Sequence, residues 1–186
     1  MSANEVQKNG IHKKVTEYIY SVFSTFIIAM LVIFTAFTFF FRLVKVDGAS
    51  MNPTLSHGDR IIISNFLYNP DYGDIIALSK KGAREESMIK RIIALPGDTV
   101  MIDFESHIIT VNDKVIFEDY EVTEPISEPG DMTFPLVVPD DCVFVLGDNR
   151  NDSVDSRTSE VGFIKLSEIN GKALIRVLPL GKANIY

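Results

Sequence analysis

The chain has 186 residues, a formal net charge of −7 and a single cysteine. That length allows one domain with its own hydrophobic core plus an appended segment, and little more. Cys142 alone excludes an intrachain disulfide and a thiolate zinc cluster.

Residues 18–41 contain no charged side chain. As a helix such a stretch rises about 36 Å, enough to cross a hydrocarbon core of about 30 Å with some tilt. A cleaved secretory signal has a shorter apolar region, about 7–15 residues, ending in small residues, which Phe39, Phe40, Phe41 and Arg42 do not match. The expected organisation is therefore a cytoplasmic N-terminus at 1–17, a transmembrane anchor at 18–41 and an extracytoplasmic domain at 42–186. Lys8, Lys13 and Lys14 before the span, against Arg42 and Lys45 after it, bias the N-terminus only weakly inward. Before residue 42 lie three of the 18 basic and two of the 25 acidic residues, which leaves 15 against 23 downstream. A domain so acidic has no electrostatic footprint for nucleic acid.

Beyond the anchor, short runs of Val, Ile and Phe alternate with turn-forming Pro, Gly, Asn and Asp, predicting a mainly β, antiparallel domain. The expected strands are Leu43 to Val46, Arg60 to Phe66, Ile75 to Leu78, Met88 to Ala94, Val100 to Phe104, Ile108 to Val111, Val115 to Phe117, Val143 to Leu146 and Ala173 to Val177. Asn69-Pro70, Pro96-Gly97-Asp98, Asn112-Asp113, Pro129-Gly130-Asp131 and Pro139-Asp140-Asp141 supply turns. Glu118 to Asp131, acidic and proline-containing, reads as a surface excursion. With the hairpin before it, this predicts a small inserted lobe at 101–141.

Three segments set reactive or charged groups among rigid turn residues. In the first, Gly48-Ala49-Ser50-Met51-Asn52-Pro53-Thr54-Leu55, Ser50 would serve as a nucleophile only with a base to take its proton. The second, Lys90-Arg91-Ile92-Ile93-Ala94-Leu95-Pro96-Gly97-Asp98, follows Met88-Ile89, and alternation would bury one of its two basic residues. A solvated edge strand carrying both is the competing reading. Burial disfavours a charged lysine, so a buried Lys90 would offer a neutral amine as base. The third runs from Gly147 through Asp148, Asn149, Arg150, Asn151, Asp152, Ser153, Val154, Asp155 and Ser156 to Arg157. Its acidic residues lack calcium-loop spacing, with no glycine at the sixth position and no closing Glu. A structural Cys142 beside an apolar run is expected rather than a catalytic thiol.

In order and content these segments resemble the serine, lysine and Gly-Asp-Asn boxes of type I signal peptidases, over roughly residues 15–177. Tyr72-Gly73-Asp74-Ile75-Ile76 resembles a further, mainly structural box. The resemblance implies Ser50 as nucleophile, Lys90 as general base, Ser153 orienting the Lys90 amine, and the ion pairs Asp155 with Arg157 and Asp148 with Arg91. It implies no metal and no cofactor. The implied substrate is the signal peptide of an exported preprotein, with small residues one and three places before the cut. It would lie extended between Leu43 to Ala49 (Val46, Asp47, Gly48 and Ala49 among them) and Ser87, Met88 and Ile89. The implied protein is a monomeric enzyme in the cell membrane, in contact with lipid and not with nucleic acid.

Some relatives carry a serine two places before the nucleophile as an oxyanion donor, where this chain has Gly48. Glycine there is common in the Gram-positive branch, and the small inserted lobe points the same way. The Ser50 N–H is then the expected oxyanion donor, its second companion unassigned. Endoplasmic-reticulum and archaeal relatives replace the lysine by histidine, but His12 precedes the span, and neither His57 nor His107 occupies the lysine-box position. Two further readings compete: a catalytically silent, membrane-tethered chaperone or assembly factor on the same fold, against which both Ser50 and Lys90 are present, and a self-cleaving repressor, whose helix-turn-helix is replaced here by a span.

Overall fold

The computed structural model describes residues 3–83, 87–116, 120 and 122–179. It divides into two compact units at Phe40/Phe41. The first is the helix α1, Ala3–Phe40, whose portion Lys14–Phe40 has a mean hydropathy of 2.3 and is long and apolar enough to cross a bilayer. The helix extends through residues assigned from sequence to a separate N-terminal segment, since nothing between Ala3 and Tyr18 is a strong helix breaker apart from Gly10.

The second unit is antiparallel throughout, as its sequence pattern predicts. Its strands are β1 Phe41–Lys45, β2 Arg60–Ser64, β3 Ile75–Ser79, β4 Ser87–Ala94, β5 Thr99–Asp103, β6 Ile108–Val111, β7 Lys114–Val115, β8 Leu136–Val137, β9 Cys142–Leu146, β10 Ile164–Lys165 and β11 Ile169–Leu178. Seven form one sheet in the order β1-β2-β11-β3-β4-β9-β10, and four form a smaller one in the order β7-β6-β5-β8. The two-residue strands β8 and β10 are too short to carry an alternation pattern, so the sequence does not announce them. The expected strand at Val115 to Phe117 is described only as far as Ile116; Phe117 lies outside the described residues.

The small sheet shares a core with the large one. Val100, Ile102, Ile109 and Val111 pack with Ile93, Phe144 and Leu146. Edge-to-face aromatic contacts run from Phe104 through Phe134 and Phe144 to Phe163, with centroids 6.0–6.3 Å apart. Each fully buried side chain of this kind contributes about 1.5–3 kcal/mol, so the insertion is fixed to the sheet that carries the candidate site. The segment expected as a free surface excursion is correspondingly attached: Ile126 is 2% exposed and belongs to this core.

Candidate active site

Ser50 stands in the loop between β1 and β2. The loop's base is closed by Val46 N–H to Asp59 O (2.8 Å) and Gly58 N–H to Val46 O (3.0 Å). Its underside is apolar, with Val46, Met51 and Leu55 buried against Ile61 and Ile63. Asn52 N–H to Ala49 O (3.0 Å) and Leu55 N–H to Met51 O (2.8 Å) wind the chain tightly around the serine. From β11, Arg176 donates to Thr54 O and Asp59 Oδ2, both at 2.8 Å. Gly48 has φ +87°, the left-handed region that costs a side-chain-bearing residue about 1–2 kcal/mol. The backbone itself thus accounts for glycine at the place where a serine was a possible oxyanion donor.

Lys90 and Arg91 are consecutive on β4, and both are 1% exposed. Alternation alone predicted that one would be buried. Both are, because each meets a covering group of its own, Lys90 the Ser50 loop and Arg91 the Asp148 carboxylate and the Tyr120 ring; β4 lies between β3 and β9, so the edge-strand alternative falls. Lys90 Nζ lies 2.8 Å from Ser50 Oγ. This distance serves either proton arrangement: an ammonium donates to the hydroxyl, and a neutral amine accepts from it. Arg91 grips Asp148 with two hydrogen bonds, Nε to Oδ1 at 2.8 Å and Nη2 to Oδ2 at 2.7 Å, and donates from Nη1 to Gly73 O at 2.8 Å.

The loop from Gly147 to Arg157 closes the site. Gly147 is required by close approach, since a Cβ there would overlap Ser153 Oγ and the Ser50 carbonyl. Asn149 holds the nucleophile's loop from two atoms, its N–H donating to Ser50 O (3.0 Å) and its Nδ2 to Ala49 O (3.2 Å). Thr54 Oγ1 donates to Asp148 Oδ2 at 2.5 Å, so the serine loop is also fastened to the Arg91–Asp148 pair. Arg157 is bidentate to Asp155, at 2.8 and 2.9 Å, and Asp155 Oδ2 accepts the Gly147 N–H at 3.1 Å. Neither Asn149 nor Thr54 was singled out from sequence. Both fall inside the quoted motifs, but their roles are bonds to backbone carbonyls and to a distant carboxylate, which residue type does not reveal.

Ser153 departs from expectation. Its hydroxyl is buried against Gly147 and hydrogen-bonds to nothing among the described residues, so the anticipated bond to the Lys90 amine is not formed in this structure. The Ser50 N–H also donates to no acceptor among the described residues, leaving it available to a ligand oxygen. His57 Nδ1 accepts from Gly48 N–H at 3.3 Å and lies 3.0 Å from Asp47 Oδ1, while His107 Nδ1 donates to Ile126 O at 2.7 Å. Burial pushes the Cys142 thiol up from its ordinary range, the opposite of what a thiolate nucleophile requires.

A cleft of about 510 Å³ runs from Arg42 and Ser87 at one end to Asp47 at the other, with Val44, Ile63, Ala77, Met88 and Ile89 among its lining. Of the residues expected to flank a peptide, Val44, Lys45, Asp47, Ser87, Met88 and Ile89 line it. Val46 instead points into the core at 2% exposure, because it follows the inward alternation of β1. Gly48 and Ala49 form the turn that leads from the cleft to Ser50.

Residues 19–178 match the family model of signal peptidase, peptidase S26. The chain is 36% identical over 148 residues to a probable signal peptidase I-2 of Synechocystis, a match covering 75% of this chain and 64% of that relative. It is 33% identical over 165 residues to signal peptidase I P of Bacillus subtilis subsp. natto, covering 84% and 87%, and 36% identical over 169 residues to signal peptidase I of Bacillus caldolyticus, covering 82% and 87%. A signal peptidase I crystal structure from Enterococcus faecalis superposes with a TM-score of 0.46 at 31% identity, over 56% of this chain and 97% of that one.

Proposed function

The chain belongs to the signal peptidase family, peptidase S26, and from that premise we propose that it is a membrane-anchored serine endopeptidase that removes signal peptides with a Ser50/Lys90 dyad. The observation that carries the dyad is the 2.8 Å contact between Ser50 Oγ and an amine on a residue only 1% exposed. Burial penalises the ammonium and favours the neutral amine, the form able to accept a proton. In the first step Ser50 Oγ attacks the scissile carbonyl as Lys90 Nζ takes its proton. The tetrahedral oxyanion is held by the Ser50 N–H, and Lys90 returns the proton to the leaving amine as the peptide C–N bond breaks. Water then attacks the acyl-enzyme as Lys90 takes its proton; the ester C–O bond breaks, Lys90 returns that proton to Ser50 Oγ, and the signal peptide leaves with a new carboxyl group that ionises in solvent.

The cleft supports an extended peptide. β1 leads towards Ser50 and β4 leads towards Lys90, so a substrate with its cleaved end at the dyad runs parallel to both and bonds as an added strand. The apolar lining near Ile89, Ala77 and Val44 suits small apolar side chains close to the cut. The ion pairs Arg91–Asp148 and Arg157–Asp155 are fully desolvated braces in this reading, each tying a strand or loop to the serine's surroundings. The apolar helix anchors the chain with its N-terminus in the cytoplasm and the β unit outside. Tethering enzyme and substrate to one membrane raises their effective concentration.

The test is cleavage of a purified exported preprotein by the full-length chain in detergent, with the product's new N-terminus sequenced. A single cut after a segment with small residues at the first and third places before it supports the reading. A folded chain that leaves several preproteins intact overturns it in favour of a non-catalytic scaffold.

A further inference from the structure

We infer that residues 122–132, together with Tyr120, act as a positioning strap for the dyad, with Thr123 and Tyr120 as its two working side chains. The inference rests on the peptidase reading above and assigns to it residues that carry no motif. Thr123 spans two loops that approach each other from distant parts of the chain. Its Oγ1 donates to Asn52 O at 3.0 Å, two residues past the nucleophile, and its N–H donates to Asp148 O at 3.3 Å. The Tyr120 ring lies 3.7 Å from the guanidinium carbon of Arg91, covering the cation next to Lys90 in sequence, and its hydroxyl accepts from Arg150 Nη2 at 3.2 Å.

The remainder of the strap is fastened in a way that a passive loop does not need. Asn151 uses both ends of its amide, Oδ1 accepting Ser127 N–H at 2.9 Å and Nδ2 donating to Pro125 O at 3.0 Å. Arg157, already paired with Asp155, donates from Nη1 to Glu128 O at 2.6 Å, and its carbonyl accepts the Asp131 and Met132 N–H groups at 3.2 and 3.0 Å. The strap is therefore rigid where it meets the site. Thr123 hydrogen-bonds both the nucleophile's loop and the loop of Asp148.

The Ser50 Oγ to Lys90 Nζ distance is set by where the 48–55 loop sits relative to β4. Asn149 fixes that loop before and at the serine, through Ala49 O and Ser50 O. Thr123 fixes it after the serine, at Asn52 O. Reacting groups must be held closely, because a displacement of about 1 Å can cost about a hundredfold in rate. Tyr120 acts one step further back, by holding Arg91 flat against Asp148, to which Thr54 of the same loop is bonded.

The experiment compares full-length Thr123→Val, Thr123→Ser, Tyr120→Leu and Tyr120→Phe with wild type on one preprotein, with active sites counted by covalent acylation with a penem. Expected are a kcat per active site lowered about three- to tenfold in Thr123→Val, a KM within about twofold, and recovery in Thr123→Ser, which keeps the hydroxyl. Tyr120→Leu should behave like Thr123→Val, and Tyr120→Phe, which keeps the ring on Arg91, should stay close to wild type. Unchanged kcat per active site in both Thr123→Val and Tyr120→Leu overturns the inference, as does a Thr123→Ser variant as impaired as Thr123→Val. Should one pair fold poorly, the other decides. A wild type that cleaves no preprotein counts against the peptidase reading, and the strap is then judged by the rate at which the penem acylates Ser50 in the same variants.

Discussion

Two regions converge on the dyad and differ in how they do it. The motif loops, 48–55 and 147–157, hold it with side chains whose chemistry is fixed: a hydroxyl, a bidentate carboxylate and an amide. The strap, Tyr120 with 122–132, holds it largely through backbone groups, with Thr123, Tyr120, Ile126 and Asp131 among its side-chain anchors. The first kind of support is visible as a motif because only certain residue types can supply it. The second kind is nearly silent, because almost any residue carries an N–H and a carbonyl.

That contrast orders the expected effects of mutation. Ser50→Ala and Lys90→Ala should each reduce preprotein cleavage by on the order of 10⁴-fold or more while leaving stability nearly intact; a double variant no worse than either single would show that the two act as a unit. Asp148→Asn breaks the buried pair with Arg91 and leaves a desolvated guanidinium half-satisfied, so urea unfolding should show a loss of about 3–5 kcal/mol. A loss below about 1 kcal/mol would mean that the motif loops depend less on their ion pairs than the geometry implies. Gly48→Ser should lower stability by about 1–2 kcal/mol, from the left-handed backbone, with no gain in kcat. A rise in kcat would show that a hydroxyl at this place can serve the oxyanion despite the strain.

The smallest effect belongs to the strap's exposed end. Asp131 accepts the Ser159 hydroxyl and the Ser159 N–H, and these bonds hold its carboxyl below its ordinary value of 3.8. A carboxyl depressed in the folded state contributes stability that is present above the unfolded value and is lost as pH falls through the folded one. Asp131→Asn should therefore lower the melting temperature slightly at neutral pH, leave it unchanged in acid where the wild-type carboxyl is already protonated, and so flatten the acid limb below about pH 4. A steeper acid limb in the variant would contradict the assignment.

Much of the fold is legible in the sequence, for a physical reason. Strands such as Ile75–Ser79 and Cys142–Leu146 are bounded by turn residues and filled with β-branched or aromatic side chains, so local preference and burial agree. Alternation puts Lys90 and Arg91 on opposite faces and so expected one inside; it does not show that loops meet both, Ser50 at Lys90 and Asp148 at Arg91, so that both are buried. Within the site, Ser50 and Lys90 are readable as reactive types, and the structure brings them to 2.8 Å. Ser153 was assigned to the lysine by resemblance and hydrogen-bonds to nothing among the described residues, since a hydroxyl's identity does not fix its rotamer. Val46, the last residue of its expected strand and the one just past the end of β1, turns into the core, a matter of register that composition does not carry.

The central claim, that Lys90 activates Ser50, is tested most directly by trapping the acyl-enzyme. The full-length protein in detergent is treated with a penem at neutral pH, digested, and the acylated peptide identified by mass spectrometry, in wild type and in Lys90→Ala. The account predicts a single adduct on Ser50 in wild type and none in Lys90→Ala over the same interval. An adduct on another residue, or Ser50 acylated equally fast without Lys90, would contradict it.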